Sequence, residues 1–253
     1  MTSKLAALVM CTVAAANVFA TGAQSPNATA TSTIVSDYVF RGQRLAGTSV
    51  QPMVEFVSES ATLALSGNAA LQTKPTDVAR SEVDLFGSYR FALSPRVGLR
   101  LGGTLYFYPE APGRYRRSIA EPNVALDYTI GGVRITPTCY YDLARKGATF
   151  EASAAVALPL KNFGIELDLA ATVGTYRLRD AFNGRESDTK LTGDYWLLDA
   201  SMPWQITASA RITIGVSYAG GANSSVQQRA LPLVGNPLVA QRCVFRVGYT
   251  HMF

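Results

Sequence analysis

The residues of this sequence with the greatest chemical potential are charged side chains set two or four positions apart. Glu82 and Asp84, Arg96 and Arg100, Glu166 and Asp168, and Arg242 and Arg246 are such pairs. In extended backbone, residues at even separations share one face. These pairs therefore put like charges on one surface, and rings of like charge in a narrow wet passage sort ions by sign. Catalytic signals are weak by comparison. His251 is the only histidine, which removes most histidine acid–base chemistry and histidine-rich metal sites. A lipid-cleaving serine hydrolase would need His251 as its base, and we read the chain as a non-enzyme. No Gly-rich phosphate loop followed by Lys and Ser or Thr occurs. Asp180, Asn183, Glu186 and Asp188 share one long connection and read as solvated residues. No cofactor and no metal is expected.

The elements that carry the charges must be strands. Charged residues are 16% of the chain and hydrophobic residues 48%, whereas soluble domains carry about 25% charge. After the N-terminus, no run of about 18 apolar residues suits a membrane helix. The dominant period is two. Val97, Leu99, Leu101, Gly103, Leu105 and Phe107 alternate with Arg96, Gly98, Arg100, Gly102, Thr104 and Tyr106. Residues 163–174 and 207–218 repeat the pattern. Strict alternation marks a strand with one apolar and one polar face. The same reading gives about twelve antiparallel strands, near 33–43, 48–57, 60–72, 80–91, 96–108, 118–130, 133–143, 148–158, 163–177, 194–203, 206–219 and 241–253. Pro52, Pro122 and Pro137 fall inside these runs, where a bulge or a register error would explain them.

Connection lengths separate into two classes. One end of the strands has tight turns such as Gly131-Gly132, and the other has long links at 73–79, 109–117, 178–193 and 220–240, with short exceptions at 44–47 and 144–147. This asymmetry is that of bacterial outer-membrane barrels. Aromatic residues gather near the strand ends: Tyr38, Phe40, Tyr106 to Tyr108, Tyr140, Tyr141, Tyr195 and Trp196 at one rim, and Phe91, Tyr128, Phe163, Trp204 and Phe253 at the other. Rings of amphipathic side chains suit the membrane–water boundary. Residues 1–20 combine Lys4, an apolar Ala-rich run and the small-x-small site Val18-Phe19-Ala20, with a second site ending at Ala23. This is a secretion signal by its parts. Residues 21–32 are expected as a short polar leader and 33–253 as an all-β, up-and-down transmembrane barrel. Cys139 and Cys243 are expected as free thiols facing lipid. The net charge of +5 comes without Lys/Arg runs, so nucleic acid is not an expected partner.

By parity the lumen receives Arg41, Glu55, Glu82, Asp84, Arg90, Arg96, Arg100, Glu121, Asp127, Arg134, Asp142, Glu151, Glu166, Asp168, Asp199, Arg211, Arg242 and Arg246. Glu82, Asp84, Glu121, Asp142 and Glu151 belong to the outer half. Arg90, Arg96, Arg100, Arg134 and Arg211 belong to the periplasmic half, with Asp127, Glu166, Asp168 and Asp199 partly balancing them. A solute would meet acids first and a basic, anion-preferring cluster afterwards. Twelve strands lie between a filled eight-strand barrel and a wide sixteen-strand channel. The lumen is therefore either a narrow pore for small polar or ionic solutes or a plugged barrel, structural or adhesive through its long loops.

The segment Ser36-Asp37-Tyr38-Val39-Phe40-Arg41-Gly42, with Gln51-Pro52 after it, resembles the TorF-family porins of Gram-negative outer membranes. Glu121-Pro122-Asn123 and Pro137 to Tyr141 are fainter echoes. The resemblance implies a diffusion channel without naming a solute. The last strand alternates Phe245, Val247, Tyr249 and Phe253 on one face, interrupted by His251. This ending resembles the signal by which the barrel-assembly machinery captures its clients. Deleting Phe253 should therefore lower outer-membrane levels in cells far more than it lowers refolding in detergent. Normal levels of the truncated chain in outer-membrane fractions would refute the signal.

Overall fold

In the computed structural model the described residues are 27–72, 81–110, 117–160, 165–179, 190–223 and 241–253. The expected signal peptide and most of the long connections lie outside them. The strands are β1 (Asn27–Val35), β2 (Tyr38–Phe40), β3 (Gln43–Ala46), β4 (Ser49–Val57), β5 (Ala61–Ala70), β6 (Ser81–Ser94), β7 (Val97–Phe107), β8 (Ser118–Ile130), β9 (Val133–Asp142), β10 (Gly147–Leu160), β11 (Ile165–Arg179), β12 (Lys190–Thr207), β13 (Ala210–Asn223) and β14 (Arg242–Met252). Strands β1 and β4 to β14 form a closed barrel of sequential antiparallel neighbours, sealed by β1 against β14. The remaining two, β2 and β3, make a separate hairpin.

Alternation holds around the whole circumference. Outward positions include Leu85, Leu101, Leu105, Val173, Leu198, Ile214, Phe245 and Val247, all exposed. Trp204 is 65% exposed although it is the largest apolar side chain available. Such a wall is incompatible with water and suits hydrocarbon. Among the described strand residues, the charges that face outward are Arg177, Arg179 and Asp194, at the end of the long connections. A charge at mid-wall would cost about 2–4 kcal/mol. Cys139 and Cys243 stand free on this wall.

The prolines need no bulge. Pro52 pairs in register with β1, and the β4–β5 ladder resumes in one register on either side of it, from Val50↔Ala69 to Met53↔Ser66. Pro137 likewise pairs with Ala152 of β10, while the β8–β9 ladder skips the positions beside it. Each proline lacks an N–H toward one neighbour only. Register shifts occur instead at Ala92/Ser94 and Gln205/Thr207, near the tight-turn end.

The first strand departs from expectation. A single strand over 33–43 is predicted, but β1 runs over Asn27–Val35 and residues 27–32 belong to it rather than to a leader. The residues that follow turn inward as the β2–β3 hairpin. Both segments alternate, so period two alone does not separate one long strand from two short ones. A closed ladder has no edge from which to unravel. Unheated protein should therefore migrate faster than boiled protein in detergent gels. Identical migration of the two samples would contradict the closed barrel.

Candidate functional site

The hairpin enters the lumen from the outer end, between β1 and β4, and crosses to the far wall. Its two-residue turn is Arg41-Gly42, both at positive φ, +49° and +72°. This is the turn that matches strand twist, normally built from Asn-Gly or Gly-Gly. Glycine is required at the second position. A Cβ at Gly42 would lie 2.7 Å from Cβ of Tyr195 and 2.8 Å from the Gly220 carbonyl. Arginine at positive φ is uncommon and needs external support. Arg41 has it: Nη1 and Nη2 donate to the two Glu121 oxygens at 2.7 and 2.8 Å. Its guanidinium also lies 4.6 Å from the centroid of the Tyr140 ring, on β9, opposite β1 in the barrel. Burial opposes the Arg41 charge, but Glu121 outweighs it and holds the guanidinium above its ordinary range.

Inward aromatic and acidic residues form the bed. Tyr38 donates its hydroxyl to Glu82 at 2.7 Å and is 2% exposed. Gln43 donates to the Tyr176 hydroxyl at 2.7 Å, and Tyr106 donates to Glu121 at 3.1 Å. Phe40 packs on Tyr106, and Ala46 is fully buried beside Leu45 and Tyr108. At the hairpin's base Arg44 binds Asp37 at 2.7 Å, with Arg242 at 3.7 Å.

A repeated device fixes the long side chains. Tyr195 of β12 lies over Gly174 of β11 to reach Glu151 of β10 at 2.8 Å. Arg246 of β14 lies over Gly215 of β13 to bind both oxygens of Asp199 on β12. Arg90 of β6 lies over Gly98 of β7 toward Asp127 of β8, 4.0 Å away. Each glycine leaves room on the intervening strand that any Cβ would fill.

The predicted lining divides by depth. In the outer half Glu82, Glu121 and Glu151 are taken up by the hairpin and its tyrosines, and Asp142 caps the turn to β10 through the amides of Ala144 and Arg145. These acids are held by partners within the protein. In the other half, Arg90 and Arg100 face each other directly across β6 and β7. Like charges in that position destabilise a sheet. Arg100 lies 3.4 Å from Asp127, and Arg134 interacts with Asp127, Arg100 and Arg90 together. Three arginines thus share one acid. The Arg90 and Arg100 side chains remain 43% and 31% exposed. Arg96 differs from expectation: it sits exposed in the β6–β7 turn, because β7 begins at Val97. Arg211 and Asp168 line the same half on the β11–β13 side, where Asp168 interacts with Glu166, Arg211 and Arg246. Glu55 faces inward, and Glu166 lies near the rim.

Sequence reading missed the tyrosine bed. Tyr38, Phe40, Tyr140 and Tyr195 are predicted rim aromatics with no role in the lumen, yet they point inward, beside Tyr106, which alternation places on the polar face. Their outward neighbours Phe107 and Tyr141 do join the wall. Parity alone separates Tyr106 from Phe107. For Tyr38 and Phe40 the usable signal is Arg41-Gly42 as a hairpin turn. Phe163 is outside the described residues. His251 faces outward and packs edge-on against Phe253. Two shallow grooves of about 570 and 610 Å³ lie along the barrel wall rather than at the hairpin.

Residues 20–231 match the model of a family described as "Bacterial protein of unknown function (Gcw_chp)", and the chain belongs to that family. No curated protein matches. Among solved structures, the KdgM porin in complex with disordered oligogalacturonate is 9% identical with a TM-score of 0.52, covering 90% of this chain and 99% of that one. The COG4313 outer membrane channel from Pseudomonas putida F1 is 9% identical with a TM-score of 0.51, covering 91% and 96%. The NanC porin is 11% identical with a TM-score of 0.48, covering 90% and 99%. The fold is that of outer-membrane porins and channels, and with its apolar wall this is a barrel of the bacterial outer membrane. Replacing Arg41 by Ala strands the Glu121 carboxylate, which is 2% exposed. The loss should be about 3 kcal/mol, read by urea unfolding of refolded protein in detergent. Arg41→Lys should recover only part of it, since an ammonium lacks the two-pronged geometry.

Proposed function

We propose that the chain is a narrow outer-membrane channel for passive diffusion of small polar or ionic solutes. Residues 36–48 form its constriction, and the arginines of the periplasmic half set a preference for anions. The observation that carries this reading is the partly exposed Arg90–Arg100 pair, placed below the hairpin where one acid, Asp127, serves three arginines. Confined in a narrow passage, such a pair acts on ions with less screening than on an open surface. The resemblance to TorF-family porins supports the same reading, and so does the fold shared with porins. An N-terminal secretion signal and a C-terminal signal for the barrel-assembly machinery complete the proposal.

The hairpin's bonds to opposing walls also favour a second reading, a barrel plugged at rest. Planar-bilayer current separates the two. A wild type with small conductance, raised several-fold when residues 38–46 are replaced by a short Gly-Ser turn, fits the constricted channel. A silent wild type with a conducting hairpin variant fits the plugged barrel. If neither conducts, transport is refuted. Changing Arg90 and Arg100 together to Gln should move the reversal potential toward cations while the gel shift of the folded barrel persists. Unchanged selectivity in a conducting variant would remove these side chains from the pathway.

A further inference from the structure

The lumen faces of β5 and β6 bring four oxygen-bearing side chains together beneath the hairpin. Ser66 lies directly opposite Asp84, and Asn68 directly opposite Glu82. Their exposures are 4% for Ser66, 0% for Asn68, 1% for Glu82 and 5% for Asp84. Gln51 of β4 extends the patch by donating to Asn68 at 3.1 Å. Glu82 accepts from Tyr38 and Tyr108 and touches the Asp84 carboxylate, which Ser66 also reaches. Burial and the charge of Glu82 keep the Tyr108 phenol above its ordinary range, so it stays a donor. Asp84 Oδ1 is buried and has no partner.

Three other acids of the lumen are answered by arginine. Glu121 has Arg41, Asp142 has Arg145 and Asp199 has Arg246. Among the described residues neither Glu82 nor Asp84 makes an ion pair. Two adjacent buried carboxylates repel, and the repulsion is relieved either by a proton shared between them or by a cation bound to both. The donors around them are oxygens: two carboxylates, a hydroxyl and an amide. Oxygen-only sets select hard cations, and calcium tolerates irregular ones, whereas magnesium demands near-octahedral order.

We propose that Glu82, Asp84, Ser66 and Asn68 bind a hard divalent cation of the calcium class. The ion would neutralise the acid pair and, through Glu82 and Tyr38, tie the hairpin's first strand to the barrel wall. The site is independent of whether the barrel conducts.

The full chain, refolded in detergent and freed of metal with a chelator, provides the test. Added terbium should show luminescence sensitised by Tyr38 and Tyr108, displaced by calcium chloride. Calcium alone should raise the temperature at which the compact gel form is lost by about 5 °C. Asp84→Asn keeps size and hydrogen bonding but removes a charge. It should cut the displaceable luminescence at least tenfold and abolish the calcium shift while retaining the compact form. Luminescence that Asp84→Asn leaves intact, or a wild type indifferent to calcium, overturns the site and leaves a proton shared between the acids. If Asp84→Asn does not reach the compact form, Ser66→Ala decides: terbium affinity several-fold weaker supports the site, and unchanged affinity refutes it.

Discussion

Hydrocarbon offers no hydrogen-bond partner, and the rest of this structure follows from that constraint. Every strand N–H and C=O within the membrane must be paired by another strand, so the sheet closes on itself. Closure makes one face lipid and the other lumen. With period two, the charged strand residues at mid-membrane depth then fall on the inner face. Charge that a soluble protein would spread over its surface is concentrated in one narrow cylinder.

Twelve strands enclose more space than their own side chains fill readily. The outer half of the cylinder is filled by the hairpin instead. Its tip meets β8, β11, β12 and β13 through Arg41, Gln43 and Gly42. The barrel's wide interior and the hairpin's polar edges solve each other's problem. Glu82, Glu121 and the inward tyrosines supply partners that water would otherwise provide, and the hairpin covers them. Glycines at 98, 174 and 215 let long side chains lie flat along the wall and reach acids two strands away.

Residues of one type consequently have different tasks at different depths. Arg41 and Arg246 are bidentate partners of buried acids and are used up by the fold. Arg90 and Arg100 oppose each other across a ladder and keep part of their surface free. That arrangement costs stability, and such local conflict is expected where a residue serves a ligand rather than the fold. The acid pair at Glu82 and Asp84 is a second such conflict, of opposite sign.

Alternation along the chain was enough to read the barrel, its twelve strands and the parity of nearly every strand residue. The reason is physical: lipid punishes a charge on the wrong face, so alternation is enforced along each strand and can be read without a structure. Inward placement of Glu82, Asp84, Arg90, Arg100, Asp127 and Arg134 followed from the same rule. Three things were decided only by tertiary structure. Residues 36–48 form an inward hairpin whose Arg41-Gly42 turn is held by Glu121 and Tyr140, which lie far away in sequence. Tyr38, Phe40 and their tyrosine bed became lumen filling rather than rim, because the hairpin needed a surface to lie on. Whether an inward charge is spent or available depends on its partners across the lumen, as Glu121 with Arg41 and Arg90 with Arg100 show, and no spacing along one strand reports which side chains meet across a cylinder.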